Sequence, residues 1–215
     1  MKIKPDELNG NGYQLLDNLG HNELIPFVRT YLKKRTLISL FYSICNVAIA
    51  GIIGFWFWKC YGIPSFKLGA GFTYFSYGLA IAFTLIPIHE YIHVLAYRSQ
   101  GAYKTSYDAN LKKFYFMAIA DKFVANKKEF HIVALAPFVV ISTILLLLLC
   151  FTNQLWTFTI LCILLTHTAF SSGDFGLLSY FYFHKNRDVV TYDDKENRVS
   201  YFYGKLKNFN TSDYG

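Results

Sequence analysis

Charged residues are scarce in this chain, and the stretches that lack them are long and continuous. Asp, Glu, Lys and Arg make up only 16% of the 215 residues, against roughly 25% in an average soluble domain. None occurs in residues 36–58, 68–88 or 132–173. A soluble helical bundle carries charges on its outer faces every turn or two. The pattern therefore argues against a soluble bundle.

The lengths of these runs predict membrane-spanning helices. A span needs about 20 apolar residues, so the first two runs each fit one. The third run is too long for a single span and is interrupted by a polar turn at Thr152, Asn153 and Gln154. The sequence therefore predicts an all-α polytopic membrane protein, in which four transmembrane helices form a domain over residues 36–183. Their expected positions are 36–58, 68–88, 131–151 and 155–183.

Basic residues predict the orientation of these helices. Six Lys or Arg precede the first span, seven lie in the loop 98–130 and six lie in the tail 184–215. The first loop has two, and the turn at Asn153 has none. By the positive-inside rule, the segment 1–35, the loop 98–130 and the tail are cytoplasmic. We therefore expect a multi-pass protein of the cell membrane with both termini in the cytoplasm, in contact with lipids and not with nucleic acid.

The sequence shows neither the pattern of a secretory signal peptide nor CxxC spacing of its cysteines. The first 35 residues are polar where the apolar core of a secretory signal peptide would stand, so the first span is expected to be an uncleaved anchor. The four cysteines lie in or beside spans without CxxC spacing, which is typical of packing residues.

The loop 98–130 is predicted to hold either a small β-hairpin or an amphipathic segment on the membrane surface. A second hairpin is expected around Asp194–Asn197.

One motif carries chemistry: "HEYIH", from His89 to His93, at the end of the second apolar run. Residues four apart on a helix project from nearly the same face, so both imidazoles can reach one metal ion. Glu90 lies on an adjoining face, where it could take a proton from water. Zinc suits such ligands. The alternative is a pair of interfacial histidines with a solvated glutamate.

A zinc site needs a further ligand, and the last span offers His167 and Asp174. Counted along ideal helices at about 1.5 Å per residue, Asp174 lies at the depth of His89, whereas His167 lies about 10 Å nearer the outer face. Asp174 is thus the predicted third ligand, with capping of a helix break as the alternative. His167 is expected to support the site or line a substrate path. Asp108 and Asp121 are reserve ligands.

The arrangement of these residues resembles a bacterial family of membrane zincin peptidases, and more distantly the site-two intramembrane metalloproteases. The stretches that carry the resemblance are "HEYIHVLAYRSQGA", "KKEFHIVALAPFVVISTILLLLL" and "SSGDFGLLSYFYFHKNRDVVTYD". It implies one Zn²⁺ per chain held by His89, His93 and Asp174, with Glu90 as the catalytic base. Unlike the aspartate of site-two proteases, Asp174 is followed by Phe175 and has no proline nearby.

The predicted function is therefore hydrolysis of a peptide bond in or near the membrane, at a zinc site on the cytoplasmic side. The substrate would be a protein or peptide, with membrane proteins among the candidates. Two other functions remain open: a catalytically silent scaffold that keeps the metal for structure, and a transporter. The sequence does not determine the oligomeric state.

Overall fold

Seven α-helices form most of the protein. The computed structural model describes residues 2–61, 63, 66–110, 112 and 115–206, and 62% of them are helical. The helices run in chain order as α1 (Leu24–Leu32), α2 (Leu37–Cys60), α3 (Leu68–Thr84), α4 (Ile86–Ser99), α5 (Lys127–Leu149), α6 (Gln154–Phe170) and α7 (Ser172–Phe183). Short 3₁₀ turns at Pro5–Glu7 and His21–Glu23 flank the first strand.

Three helical stretches are long and apolar enough to cross a membrane. They are α2, the combined run of α3 and α4 (Leu68–Ser99), and α5. Helices α6 and α7 pass the same test only as a pair, because the chain bends by 45° between them. Three of the four predicted spans therefore correspond to helical stretches of sufficient length and hydropathy, and the fourth does so only if this bent pair counts as one.

Two antiparallel sheets complete the fold. The strands are β1 (Gln14–Gly20), β2 (Thr105–Asn110), β3 (Tyr115–Ala120), β4 (Ala125–Asn126), β5 (Arg187–Asp194) and β6 (Val199–Leu206). Strands β2 and β3 form a two-stranded hairpin, and the other four pair in the order β1-β6-β5-β4. The sheet thus joins the N-terminal segment, the long loop and the tail in one unit.

These strands correct the expectation of an all-α chain. The loop 98–130 forms a hairpin, which was one of its two predicted alternatives, and the hairpin predicted in the tail is present as well. Strand β1 was not predicted, because its sequence "QLLDNLG" has no clear period-2 pattern of apolar residues. Residues 207–215 of the tail lie outside the described part of the chain.

The four-stranded sheet packs against the C-terminal half of α7. A cluster of buried side chains joins Phe202 of β6 and Leu19 of β1 to Leu178, Tyr180 and Phe181 of α7. Helix α1 packs on α7 so closely that a Cβ on Gly176 would lie 2.7 Å from Val28 Cγ1. The sheet and α1 are therefore fixed to the helix that carries Asp174.

Candidate metal centre

Helix α4 carries the HExxH motif on its buried face. It begins at Ile86, and Pro87 falls in the first turn, where its missing N–H would have no helical partner in any case. His89, Glu90 and His93 are each no more than 8% exposed, whereas Tyr91 is about half exposed. The helix therefore directs all three ionisable side chains of the motif into the protein.

Asp174 reaches the histidines from the first turn of α7, just after the break between α6 and α7. Helix α6 ends at Phe170, and Ser171 separates it from α7, whose first turn contains Asp174. The Asp174 carboxylate places Oδ2 3.1 Å from His89 Nε2 and Oδ1 3.1 Å from His93 Nε2. The Ser171 side chain makes no helix cap. The Asp174 carboxylate thus faces both histidines.

The donor atoms have the spacing that a zinc site needs. His89 Nε2 and His93 Nε2 lie 3.1 Å apart, the same distance that separates each of them from an Asp174 oxygen. Ligands bound to one tetrahedral zinc ion at about 2.0–2.2 Å lie roughly 3.3 Å from one another. The two imidazoles and the carboxylate therefore fit a zinc ion with little adjustment.

The far nitrogens of both histidines are occupied, which leaves the Nε2 atoms for a metal. His93 Nδ1–H donates to the Val133 carbonyl at 2.9 Å. His89 Nδ1 lies 3.2 Å from His167 Nε2, and His167 is only 2% exposed. Such outer contacts set the tautomer and ring orientation of metal-binding histidines. His167 therefore contacts His89 at the ring nitrogen that does not contact Asp174.

The 10 Å separation expected between His167 and Asp174 does not describe this site well. Both residues reach the single ring of His89, one at each nitrogen. The expectation assumed one straight helix, but the 45° bend at Ser171 changes the direction of the chain between them. Asp174 contacts His89 at Nε2 and His167 contacts it at Nδ1, so only Asp174 lies on the side of the ring that faces His93.

Glu90 is held by the β2–β3 hairpin. Its Oε2 accepts a hydrogen bond of 2.7 Å from the backbone N–H of Ala118 in β3. Its carboxylate also lies within 4.8 Å of the ligand nitrogens of His89 and His93. Glu90 therefore lies beside the metal position with one of its oxygens engaged by the hairpin.

A large cavity adjoins these groups. It has a volume of about 1080 Å³, and its lining includes all five predicted site residues. Its walls come mainly from apolar side chains of α1, the α3–α4 junction, β3 and the four-stranded sheet, such as Val28, Phe116 and Phe202. A volume of this size accommodates an extended apolar segment next to the carboxylates and imidazoles.

The reserve ligands lie elsewhere. Asp108 is bonded to Arg198, at 2.6 and 3.0 Å, and to His21 at 2.9 Å. Asp121 accepts a hydrogen bond from the backbone of Lys195. Neither carboxylate belongs to the metal centre. The hydrogen bonds from the Ala118 N–H to Glu90 and from His93 to the Val133 carbonyl were not predicted. Nearly every residue has the same backbone groups, so the sequence does not show which of them face a site.

The family match agrees with this geometry. A family model described as "Putative zincin peptidase" matches residues 82–189, half of the chain. The chain belongs to this family. The match to the zincin peptidase family covers α4, the β2–β3 hairpin, α5, α6 and α7, and so every residue of the candidate metal centre. No curated protein and no solved structure matches the chain.

Proposed function

We propose that the protein is a membrane-embedded zinc metalloprotease that cleaves a peptide bond in or near the membrane. The observation that carries the proposal is the convergence of His89 Nε2, His93 Nε2 and the Asp174 carboxylate at 3.1 Å spacing, with the Glu90 carboxylate beside them. Membership of the zincin peptidase family supports a metallopeptidase.

Each residue has a defined part in this chemistry. His89, His93 and Asp174 would hold the ion. Zinc in such a set acts as a Lewis acid that polarises a carbonyl and acidifies water. Glu90 accepts a proton from the attacking water and later gives it to the departing amine. The Ala118 N–H engages one Glu90 oxygen and leaves the other for this transfer.

The membrane setting of the site is part of the proposal. Three apolar helices of sufficient length, and the bent α6–α7 pair, support it. Strands from the N-terminal segment, the long loop and the tail pair in one sheet, so all three must lie on the same side of the membrane. Basic residues concentrate in these same segments, which supports a cytoplasmic location for the sheet and the adjoining site.

The test compares Glu90→Gln with the wild type in detergent or nanodiscs, using a mixture of fluorogenic apolar peptides and a direct zinc analysis. The amide keeps the shape of the side chain but cannot take a proton, so Glu90→Gln should keep zinc and lose hydrolysis. Glu196→Gln, an exposed glutamate in the β5–β6 turn, is the matched control and should keep both.

Two results would contradict the proposal. If Glu90→Gln lost its zinc, Glu90 would be a ligand and not the base. If the wild type held one zinc ion per chain and cleaved no peptide of the mixture, with or without a lipid bilayer, a scaffold that keeps the metal for structure would be the better description.

A further inference from the structure

Helix α5 contains an interior proline, Pro137, four residues after Val133, whose carbonyl contacts His93. Pro137 lies within α5, and it is buried. In an α-helix the N–H of residue 137 would bond to the carbonyl of residue 133, but proline has no N–H. The Val133 carbonyl is therefore denied its usual helical donor, and it is this carbonyl that accepts the His93 Nδ1–H at 2.9 Å.

From this relationship we infer that Pro137 is a positioning residue for the metal centre: it frees the Val133 carbonyl to fix the orientation and tautomer of His93. A buried carbonyl needs a donor, and the His93 ring supplies one from the neighbouring helix. With hydrogen on Nδ1, the lone pair of His93 lies on Nε2, which faces Asp174. The inference rests on the proposal that His93 binds zinc.

Burial makes this contact strong. Val133 is 2% exposed and His93 is 7% exposed, so water does not compete readily for either group. A hydrogen bond in such surroundings is electrostatically stronger than one in water. Without the carbonyl, the His93 ring could rotate or place its hydrogen on Nε2, and either change removes the lone pair from the metal position.

Restoring the missing N–H provides the test. In Pro137→Ala the new amide would bond to Val133 along the helix axis. A carbonyl can accept two hydrogen bonds, but the hydrogen bond from His93 would become weaker and would change direction. Proline in a helix interior is unfavourable, so the same substitution should stabilise the helix. We therefore expect Pro137→Ala to raise the stability of the protein and to lower its affinity for zinc.

The expected result is a higher melting temperature of the metal-free protein together with weaker zinc binding, by about tenfold, the lower end of the range for loss of an outer contact. Zinc affinity is measured by competition with a chelator. Proton–nitrogen NMR of the zinc-loaded protein should show the His93 Nδ1–H at low field in the wild type, as expected for a strong hydrogen bond, and at higher field in the variant. Pro137→Gly restores the amide without the methyl group and should show the same change in the Nδ1–H shift.

Pro26→Ala is the matched control, since Pro26 also lies in a helix, near the start of α1, and its carbonyl accepts a hydrogen bond from Thr30 and not from His93. It should leave zinc affinity and the His93 Nδ1–H shift unchanged. Unaltered zinc affinity and Nδ1–H shift in both Pro137 variants would overturn the inference. None of these measurements requires peptide cleavage, so a protein that bound zinc without hydrolysis would contradict the proposed function alone.

Discussion

The Nδ1 atom of His89 lies 3.2 Å from the Nε2 atom of His167, on the side of the ring opposite Asp174. If His89 binds zinc through Nε2, its hydrogen is on Nδ1 and His167 accepts it. His167 then stabilises the binding form of His89 without touching the ion. Its position one turn before the bend at Ser171 allows this contact.

We predict that His167→Ala retains one zinc ion per chain at saturation but binds it 10- to 100-fold more weakly, the usual cost of losing an outer contact. The measurement is a zinc titration against a chelator of known affinity. Thr166→Ala, at the neighbouring position of α6, removes a hydroxyl that bonds only to its own helix and should change nothing. Complete loss of zinc in His167→Ala would show that His167 is itself a ligand.

Asp174→Ala should behave differently from His167→Ala. The Asp174 carboxylate faces both imidazoles at 3.1 Å, so its removal leaves a two-histidine site. Two protein ligands are fewer than the three that catalytic zinc sites have. We therefore expect loss of stoichiometric zinc on gel filtration in zinc-free buffer, under conditions in which His167→Ala keeps its ion. Equal retention in the two variants would contradict the assignment of Asp174.

The sequence predicted those site residues whose side chains are brought together by their spacing along one helix. His89, Glu90 and His93 follow from helical periodicity, and the structure brings their side chains together as expected. Asp174 was chosen by counting depth along straight helices. That count took no account of the bend at Ser171, which allows His167 and Asp174 to reach the same ring.

What the sequence could not predict depends on long-range pairing. The Ala118 amide reaches Glu90 only because β3 lies against α4, and no side-chain pattern reports a backbone donor. Residues of strand β1 pair with residues of β6 that lie 179 to 190 positions further along the chain, so its stability comes from tertiary contacts and not from local propensity. The apolar helices needed no such partners: the ends of α2 and α5 were predicted within four residues, whereas the second apolar stretch extends to Ser99, eleven residues beyond the predicted end.

Topology can be tested with reporters. Because β1, β4, β5 and β6 share one sheet, an even number of membrane crossings must separate their segments. A reporter inserted at Asn153, in the turn between α5 and α6, should therefore be external, and one fused to the C-terminus should be cytoplasmic. The C-terminal fusion is the internal control. A cytoplasmic signal at Asn153 would mean that α6 and α7 do not cross as a pair.

The last prediction concerns the attachment of the β2–β3 hairpin, which holds Glu90. Asp108 of β2 accepts two hydrogen bonds from Arg198, at 2.6 and 3.0 Å, and also contacts His21. Arg198 lies next to β6, so this ion pair ties the hairpin to the four-stranded sheet. Burial raises the pKa of Asp108, but the bonds from His21, Arg198 and Tyr115 outweigh it and hold the pKa below its ordinary value.

A carboxyl whose pKa falls on folding stabilises the native state above its unfolded pKa, about 3.9 for aspartate. This contribution is lost as the pH falls through the lower folded value. Asp108→Asn should therefore lower the melting temperature at pH 7, and its difference from the wild type should shrink below about pH 4. Hydrogen exchange at Ala118 should be faster in the variant at pH 7, since a looser hairpin releases the amide from Glu90.

Asp188→Asn is the control, because Asp188 of β5 accepts its hydrogen bond from Tyr13, the residue before β1, and not from a residue of the hairpin. It should leave exchange at Ala118 unchanged. If Asp108→Asn altered the melting temperature without faster exchange at Ala118, the ion pair would stabilise the sheet but not hold Glu90. If neither changed, the contribution of Asp108 would be no greater than that of an exposed ion pair, for which values near zero are common.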